Sequence, residues 1–228
     1  MDKRDMEFIE RWAKKTICVT KLGGKCCKCG EKDIVTLTFH HGNIEKENTI
    51  SQLLTFRLSR IESELEKCVV LCRNCHMKEH WVDNNANSKK IKKVMMEYMG
   101  CKGCSECGVD DEMLCIFDFH HINENQKDFK ICGSCTSRKL DEDICKELDK
   151  CIVLCGNCHS RKHMVINRFL KFKDKIDNRV ANYKEKQKPC YEKVKELFLS
   201  GMRQKDIASS IPCAKSTVCD IIKRYNLK

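Results

Sequence analysis

Proline is nearly absent, with two residues in 228, and aromatic residues make up only 7%. A disordered chain would carry more proline and fewer apolar residues than the 41% found here. No apolar run approaches the roughly 18 residues of a membrane span. The N-terminus, Met1-Asp2-Lys3-Arg4-Asp5, lacks the apolar core of an export signal. These absences point to a folded intracellular protein, cytoplasmic or nuclear, with no membrane partner. An RNA-processing role gains no support, because single-stranded RNA is held largely by aromatic stacking.

Cysteine is abundant, at 20 residues. In a short secreted chain that number would describe a disulfide framework. Without an export signal, and with the cysteines falling into Cys-x-x-Cys pairs, it points to zinc. The net charge of +11 is uneven. Residues 1–163 hold 28 Lys/Arg against 26 Asp/Glu, whereas residues 164–228 hold 16 against 7. A near-neutral body with a basic C-terminal quarter suits a chain that anchors to nucleic acid.

The body is a duplication. One copy reads Cys26-Cys27-Lys28-Cys29-Gly30, then Leu37-Thr38-Phe39-His40-His41, and closes with Glu66-Lys67-Cys68-Val69-Val70-Leu71-Cys72-Arg73-Asn74-Cys75-His76-Met77-Lys78-Glu79-His80. The other reads Cys104-Ser105-Glu106-Cys107-Gly108, then Phe117-Asp118-Phe119-His120-His121. It closes with Asp149-Lys150-Cys151-Ile152-Val153-Leu154-Cys155-Gly156-Asn157-Cys158-His159-Ser160-Arg161-Lys162-His163. The landmarks recur in one order at a spacing of about 80 residues.

Helical spacing of Met6, Ile9, Trp12, Ala13 and Ile17, and again of Ile91, Val94, Met95 and Tyr98, predicts a helix leading into each copy. Strands are expected over 36–41, 68–72, 114–121 and 151–155, with short helices beginning near Asn74 and Asn157. Asn84, Asn85, Asn87 and Ser88 mark the joint between copies. The fold class is α+β: small zinc-stabilised modules over 1–83 and 84–165, a basic helical linker over 166–188, and an all-α helix-turn-helix over 189–228. In that last segment Val194, Leu197, Phe198, Ile207, Ala208, Val218, Ile221 and Ile222 are expected to face inward.

Two Cys-x-x-Cys pairs can enclose one tetrahedral Zn²⁺. Cys26, Cys29, Cys72 and Cys75 are the expected ligands in one copy, and Cys104, Cys107, Cys155 and Cys158 in the other. Cys27 and Cys101 are alternative ligands, and Cys132-x-x-Cys135 is a further pair found in only one copy. Modules this small need such staples. All eight histidines belong to the repeat: His40, His41, His76 and His80, and His120, His121, His159 and His163. His76 with His80, and His159 with His163, stand at i, i+4 on one helix face, a spacing that lets two imidazoles share a metal. Adjacent strand residues point to opposite faces, so His120 can face a metal while His121 faces water or phosphate.

These motifs resemble the HNH, or ββα-metal, endonucleases, in the zinc-stapled form common in phages, large DNA viruses and mobile elements. The resemblance covers nearly all of residues 20–165, twice. It implies a metal-dependent DNA endonuclease acting on double-stranded DNA. His41 and His121 would be the general bases; His40, His76 and His80, and His120, His159 and His163, would hold one catalytic divalent ion per module, Mg²⁺ or a transition ion. The middle Asn of that family's motif falls at Lys67 and Lys150 here, which are candidate phosphate contacts. Asn74 and Asn157 are candidate substitutes for it, and Asp118 a candidate supporting group where the other copy has Thr38.

The last forty residues resemble resolvase- or transposase-type helix-turn-helix domains. That resemblance implies DNA contacts from Lys215, Ser216, Thr217, Lys223 and Arg224. Two modules in one chain suggest a monomer that acts as a pseudo-dimer. The alternative is a non-catalytic, zinc-stabilised DNA-binding regulator or architectural protein.

Overall fold

The computed structural model describes residues 1–42, 49–81, 86–131, 140–211 and 215–224. The chain divides into two compact units, one of residues Lys14–Phe172 and one of Met1–Ala13 with Lys173–Lys228. It is an α+β protein containing two antiparallel two-stranded hairpins. Among the described residues, no helix is long and apolar enough to cross a membrane.

Both copies of the repeat lie in the Lys14–Phe172 unit and are built alike. Helix α1 (Lys3–Lys21) precedes the first Cys-x-x-Cys turn, and strand β1 (Leu37–His41) follows it. Short helices α2 (Ile50–Leu53) and α3 (Leu58–Leu65) then lead to strand β2 (Cys68–Cys72), which runs directly into α4 (Arg73–Glu79). The second copy repeats this with α5 (Ala86–Tyr98), β3 (Phe117–His121), α6 (Glu142–Leu148), β4 (Cys151–Cys155) and α7 (Gly156–Lys162), followed by α8 (Met164–Lys171). The registers correspond: His40 lies opposite Val69 and His41 opposite Cys68, as His120 lies opposite Ile152 and His121 opposite Cys151.

Local chemistry explains the elements. Each Cys-x-x-Cys turn closes on a glycine in the left-handed region, Gly30 at φ 79° and Gly108 at φ 71°, where a Cβ would be strained. Both strands start one to three residues later than hydropathy suggests. Asp33 and Asp111 hold the backbone just before them in turns, accepting from the N–H of Val35 at 3.0 Å and of Met113 at 2.9 Å. Leu114–Ile116 therefore forms a 3₁₀ turn, and β3 begins at Phe117. The joint residues Asn84 and Asn85, and the pair Cys132 and Cys135, lie outside the described residues.

An apolar cluster backs each hairpin, and Met95, Ile144 and Leu148 form a further one in the second copy. Val19, Leu37, Val70 and Leu71 back the first hairpin, and Met96, Ile116, Phe117, Val153 and Leu154 the second. Of the lead-in residues, Ile9, Ala13, Ile17 and Met95 are buried, while Met6 and Tyr98 are exposed.

The two copies meet through reciprocal contacts between α4 and α7. Asn74 N–H donates to Asn157 Oδ1 at 3.2 Å, and Asn157 N–H to Asn74 Oδ1 at 3.0 Å. Arg161 Nε pairs with Asp33 at 2.7 Å, and Lys78, at the corresponding helix position in the first copy, pairs with Asp111, the counterpart of Asp33. Equivalent residues exchanging equivalent bonds define a pseudo-twofold interface, as in a symmetric dimer. Asn74 and Asn157 thus bridge the copies, and their side-chain oxygens are engaged there.

At the centre of this interface a Cβ on Gly156 would stand 2.8 Å from Arg73 Cγ and 2.9 Å from Met77 Sδ. We expect Gly156→Ala to destabilise this unit by about 1–3 kcal/mol through overpacking. Gly42→Ala should be near neutral, since nothing lies within 4 Å of its would-be Cβ. Denaturant melts of the two variants check this; equal stabilities would mean the interface yields freely.

In the other unit α9 (Lys173–Leu199) is one continuous helix across the expected linker boundary, followed by α10 (Gln204–Ser210) and α11 (Lys215–Arg224). Val194, Ile207, Val218, Ile221 and Ile222 are buried together, with Leu197, Phe198 and Ala208 packed against them. These are the eight positions that helical spacing turns inward.

Candidate metal centres

The eight paired cysteines converge into two groups. Cys26 and Cys29 sit on the turn after α1, Cys72 ends β2, and Cys75 lies one turn into α4. Cys104, Cys107, Cys155 and Cys158 repeat the arrangement, and within each group the sulfurs all lie within 4.8 Å of one another. Cys29 Sγ is 3.6 Å from Cys72 Sγ, and Cys107 Sγ 3.8 Å from Cys155 Sγ. A disulfide needs about 2.05 Å, whereas a tetrahedron with metal–sulfur bonds of about 2.3 Å has edges near ~3.8 Å. All sixteen cysteines among the described residues are unbridged.

Backbone N–H groups also point at the sulfurs, as Cys75 N–H does toward Cys72 and Cys158 N–H toward Cys155, both at 3.5 Å. Burial pushes the Cys26 thiol up, but N–H donors from Cys29, Cys72 and Lys28 outweigh it and hold it down at about 6. Two largely buried four-cysteine groups of this geometry are consistent with two structural zinc sites. Cys27 and Cys101 stay outside both groups: Cys27 is exposed, and Cys101 Sγ donates to Met99 O at 3.5 Å.

Beside each four-cysteine group lies a cluster of three imidazoles: His40, His76 and His80, and His120, His159 and His163. The strand supplies the first, the helix the second, and the residue capping that helix the third. His159 Nε2 and His163 Nε2 stand 3.0 Å apart, within hydrogen-bond distance, and in each cluster one ligand atom from every ring lies within 4.8 Å of the others. His40 Nδ1 is buried and has no hydrogen-bond partner among the described residues. Burial, then the neighbouring His80, His40 and Arg73, lowers the His76 pKa to about 4. Burial likewise lowers the values of His40, His120 and His163. These four rings therefore favour the neutral form, the one that ligates metal. An orphaned buried nitrogen and converging neutral rings fit a divalent ion.

The second histidine of each strand pair points the other way, as β alternation requires. His121 Nε2 lies 2.7 Å from Glu147 Oε1, and His41 Nε2 2.9 Å from Glu64 Oε1. Both histidines are nearly buried. Lys150 and Lys67 occupy the other carboxylate oxygens, at 2.7 Å and 3.1 Å, and Lys150 also reaches Asp128 at 2.6 Å. The two lysines expected at phosphate thus take part in His–Glu–Lys chains. Glu64 and Glu147 were not singled out in the sequence, although Glu-x-x-Lys-Cys recurs at 64–68 and 147–151 and carries the signal.

Burial pushes the Glu147 carboxyl up, but Lys150, His121 and the N–H groups of Phe129 and Asp128 hold it down at about 2. A carboxyl lowered on folding adds stability above its unfolded value near 4.5, and that stability is lost as the pH falls toward 2. Glu147→Ala should therefore cost about 3 kcal/mol at neutral pH, by taking their acceptor from His121 and from the N–H groups of Asp128 and Phe129 and leaving Lys150 with Asp128 alone. The difference from wild type should shrink below about pH 4. Urea melts at pH 7 and pH 3 check both points.

The copies differ at one supporting position. Asp118 Oδ2 accepts from His159 Nδ1 at 2.9 Å, fixing that ring, whereas Thr38 stands in its place in the first copy. A cleft of about 670 Å³ opens over the second cluster, lined by Asp118, His120, His121, His159 and His163 and by the cations Lys127, Lys130, Lys15 and Arg73. In the other unit Thr217 is half-buried and Lys223 exposed. The side chains of Lys215, Ser216 and Arg224 lie outside the described residues. No family model, no curated protein and no solved structure matches the chain.

Proposed function

We propose that the chain is a metal-dependent endonuclease of the HNH kind, hydrolysing phosphodiester bonds in double-stranded DNA. The observation that carries this reading is the juxtaposition, made twice at one hairpin register, of a three-histidine cluster and a carboxylate-held histidine. Two Zn²⁺ ions would be held by the two four-cysteine groups. His40, His76 and His80, and His120, His159 and His163, would each hold one further divalent ion. That ion would supply Lewis-acid stabilisation of charge developing on phosphate and leaving oxygen. An all-imidazole set suits transition ions such as Mn²⁺, Ni²⁺ or Zn²⁺ and accepts Mg²⁺ less readily.

The chain's own groups do the rest. A carboxylate can only accept, so Glu147 and Glu64 fix the proton on Nε2 of His121 and His41. The free lone pair is then on Nδ1, ready to take a proton from water. Cations along the cleft attract the phosphate backbone. The three-helix cluster supplies an address as a helix-turn-helix, with α11 as the recognition helix. The pseudo-twofold pairing of modules lets a monomer act as a pseudo-dimer.

The test is incubation of the full, zinc-loaded chain with supercoiled plasmid and Mg²⁺ or Mn²⁺. Nicked or linear product that depends on the added ion is expected. Tight DNA binding without cleavage of any DNA form would favour a zinc-stabilised regulator instead.

A further inference from the structure

The repeat breaks its own symmetry at the centre of the interface. Where the first copy reads Cys72-Arg73-Asn74-Cys75, the second reads Cys155-Gly156-Asn157-Cys158. The flanking asparagines exchange reciprocal bonds, so positions 73 and 156 face each other's module across the pseudo-twofold. The missing side chain at Gly156 leaves the space in which Arg73 lies, with its Cγ 2.8 Å from where a Cβ would stand.

Arg73 is anchored by its own N–H, which donates to Thr36 O at 2.9 Å. Its side chain is exposed and forms part of the wall of the cleft that holds His120, His121, His159 and His163. The reciprocal gift is impossible, because glycine has no side chain to place in the first copy's site.

We propose that Arg73, carried by the first copy, is a DNA-phosphate-binding residue of the second copy's site. A guanidinium stays charged at any working pH and grips phosphate oxygens with two parallel N–H donors. The first copy thus contributes to the cut made by the second, and the two sites are unequal by construction. The inference rests on the nuclease reading for its consequence in cleavage, but its binding component stands apart from catalysis.

The experiment has two parts. Affinity of the zinc-loaded full chain for a 30-base-pair duplex is measured by fluorescence anisotropy across a salt series, without added Mg²⁺ or Mn²⁺. Arg73→Ala should lower the slope of log K against log salt by about 0.9, the loss of one phosphate contact, while Arg73→Lys keeps the slope. Cleavage is then measured with one site disabled at a time. With His41→Ala, where only the second site keeps its base, Arg73→Ala should slow nicking about tenfold or more. With His121→Ala the loss should be several-fold smaller. Two zinc per chain and an unchanged melting temperature in Arg73→Ala show that the fold is intact.

An unchanged salt slope, or no binding to the duplex by the wild type, overturns the proposal. So do equal cleavage losses in the two backgrounds. A wild type that binds duplex with the expected Arg73-dependent slope but never cuts leaves Arg73 as a phosphate contact and overturns the nuclease reading alone.

Discussion

Stripping metal from the chain should unfold the Lys14–Phe172 unit while sparing most of the helical signal from the other. In each copy the four-cysteine group ties the turn after the lead-in helix to a strand–helix corner more than 40 residues away. Structural zinc in such small modules contributes on the order of 10 kcal/mol to folding, more than a small domain's usual net stability. The cluster of Val194, Ile207, Val218, Ile221 and Ile222 contains no ligand and should persist. A chelator titration followed by far-ultraviolet circular dichroism and a zinc-release dye checks this. Two zinc ions released per chain, with a partial loss of ellipticity, is the expected result.

Single substitutions sharpen that prediction. Cys72→Ser should lose one zinc and most of the first copy's stability. Cys68→Ser should keep both ions, because Cys68 is buried outside the group and its Sγ donates to Glu64 O at 3.3 Å. Full zinc content in Cys72→Ser would show that the sulfurs converge for some reason other than metal.

The other large effect concerns the two proposed bases. Removing a positioned general base typically costs 10²–10⁴-fold in rate, so His41→Ala and His121→Ala should each silence one site. If each module cuts one strand, both single variants accumulate nicked plasmid and make almost no linear product. The remaining nicking should be slower in His121→Ala, because the first site lacks the counterparts of Asp118 and Arg73. A single variant that still makes full double-strand breaks sinks the one-strand-each arrangement.

Much of this organisation was legible in the residue order, because the repeat tested each spacing against itself. The Cys and His groupings rest on residue types with few alternative partners, and period-2 and period-3.6 patterns placed them on strand and helix. Strand starts were less legible, since the Asp33 and Asp111 turns act through a side-chain-to-backbone bond that hydropathy does not register. The role of Glu64 and Glu147 is not legible in the sequence, because an i, i+3 Glu–Lys pair is ordinarily a surface feature. Only the fold shows that each carboxylate also meets a histidine from a neighbouring strand. Asn74 and Asn157, candidate substitutes for the motif's middle Asn, bond partners that lie 83 residues away in sequence. An interface between repeats leaves no period of its own, and Arg73 facing Gly156 becomes meaningful only once the copies are paired.

The duplicated, carboxylate-held histidines beside three-histidine clusters are proposed to cut DNA. The most direct measurement compares the rate of supercoiled plasmid cleavage in Mn²⁺ by the full chain and by the His41→Ala/His121→Ala double variant, both verified to hold two zinc ions. Metal-dependent cleavage by the wild type and a loss of at least ~10²-fold in the double variant are expected. Equal rates in the two proteins, or no cleavage by either, would contradict that proposal.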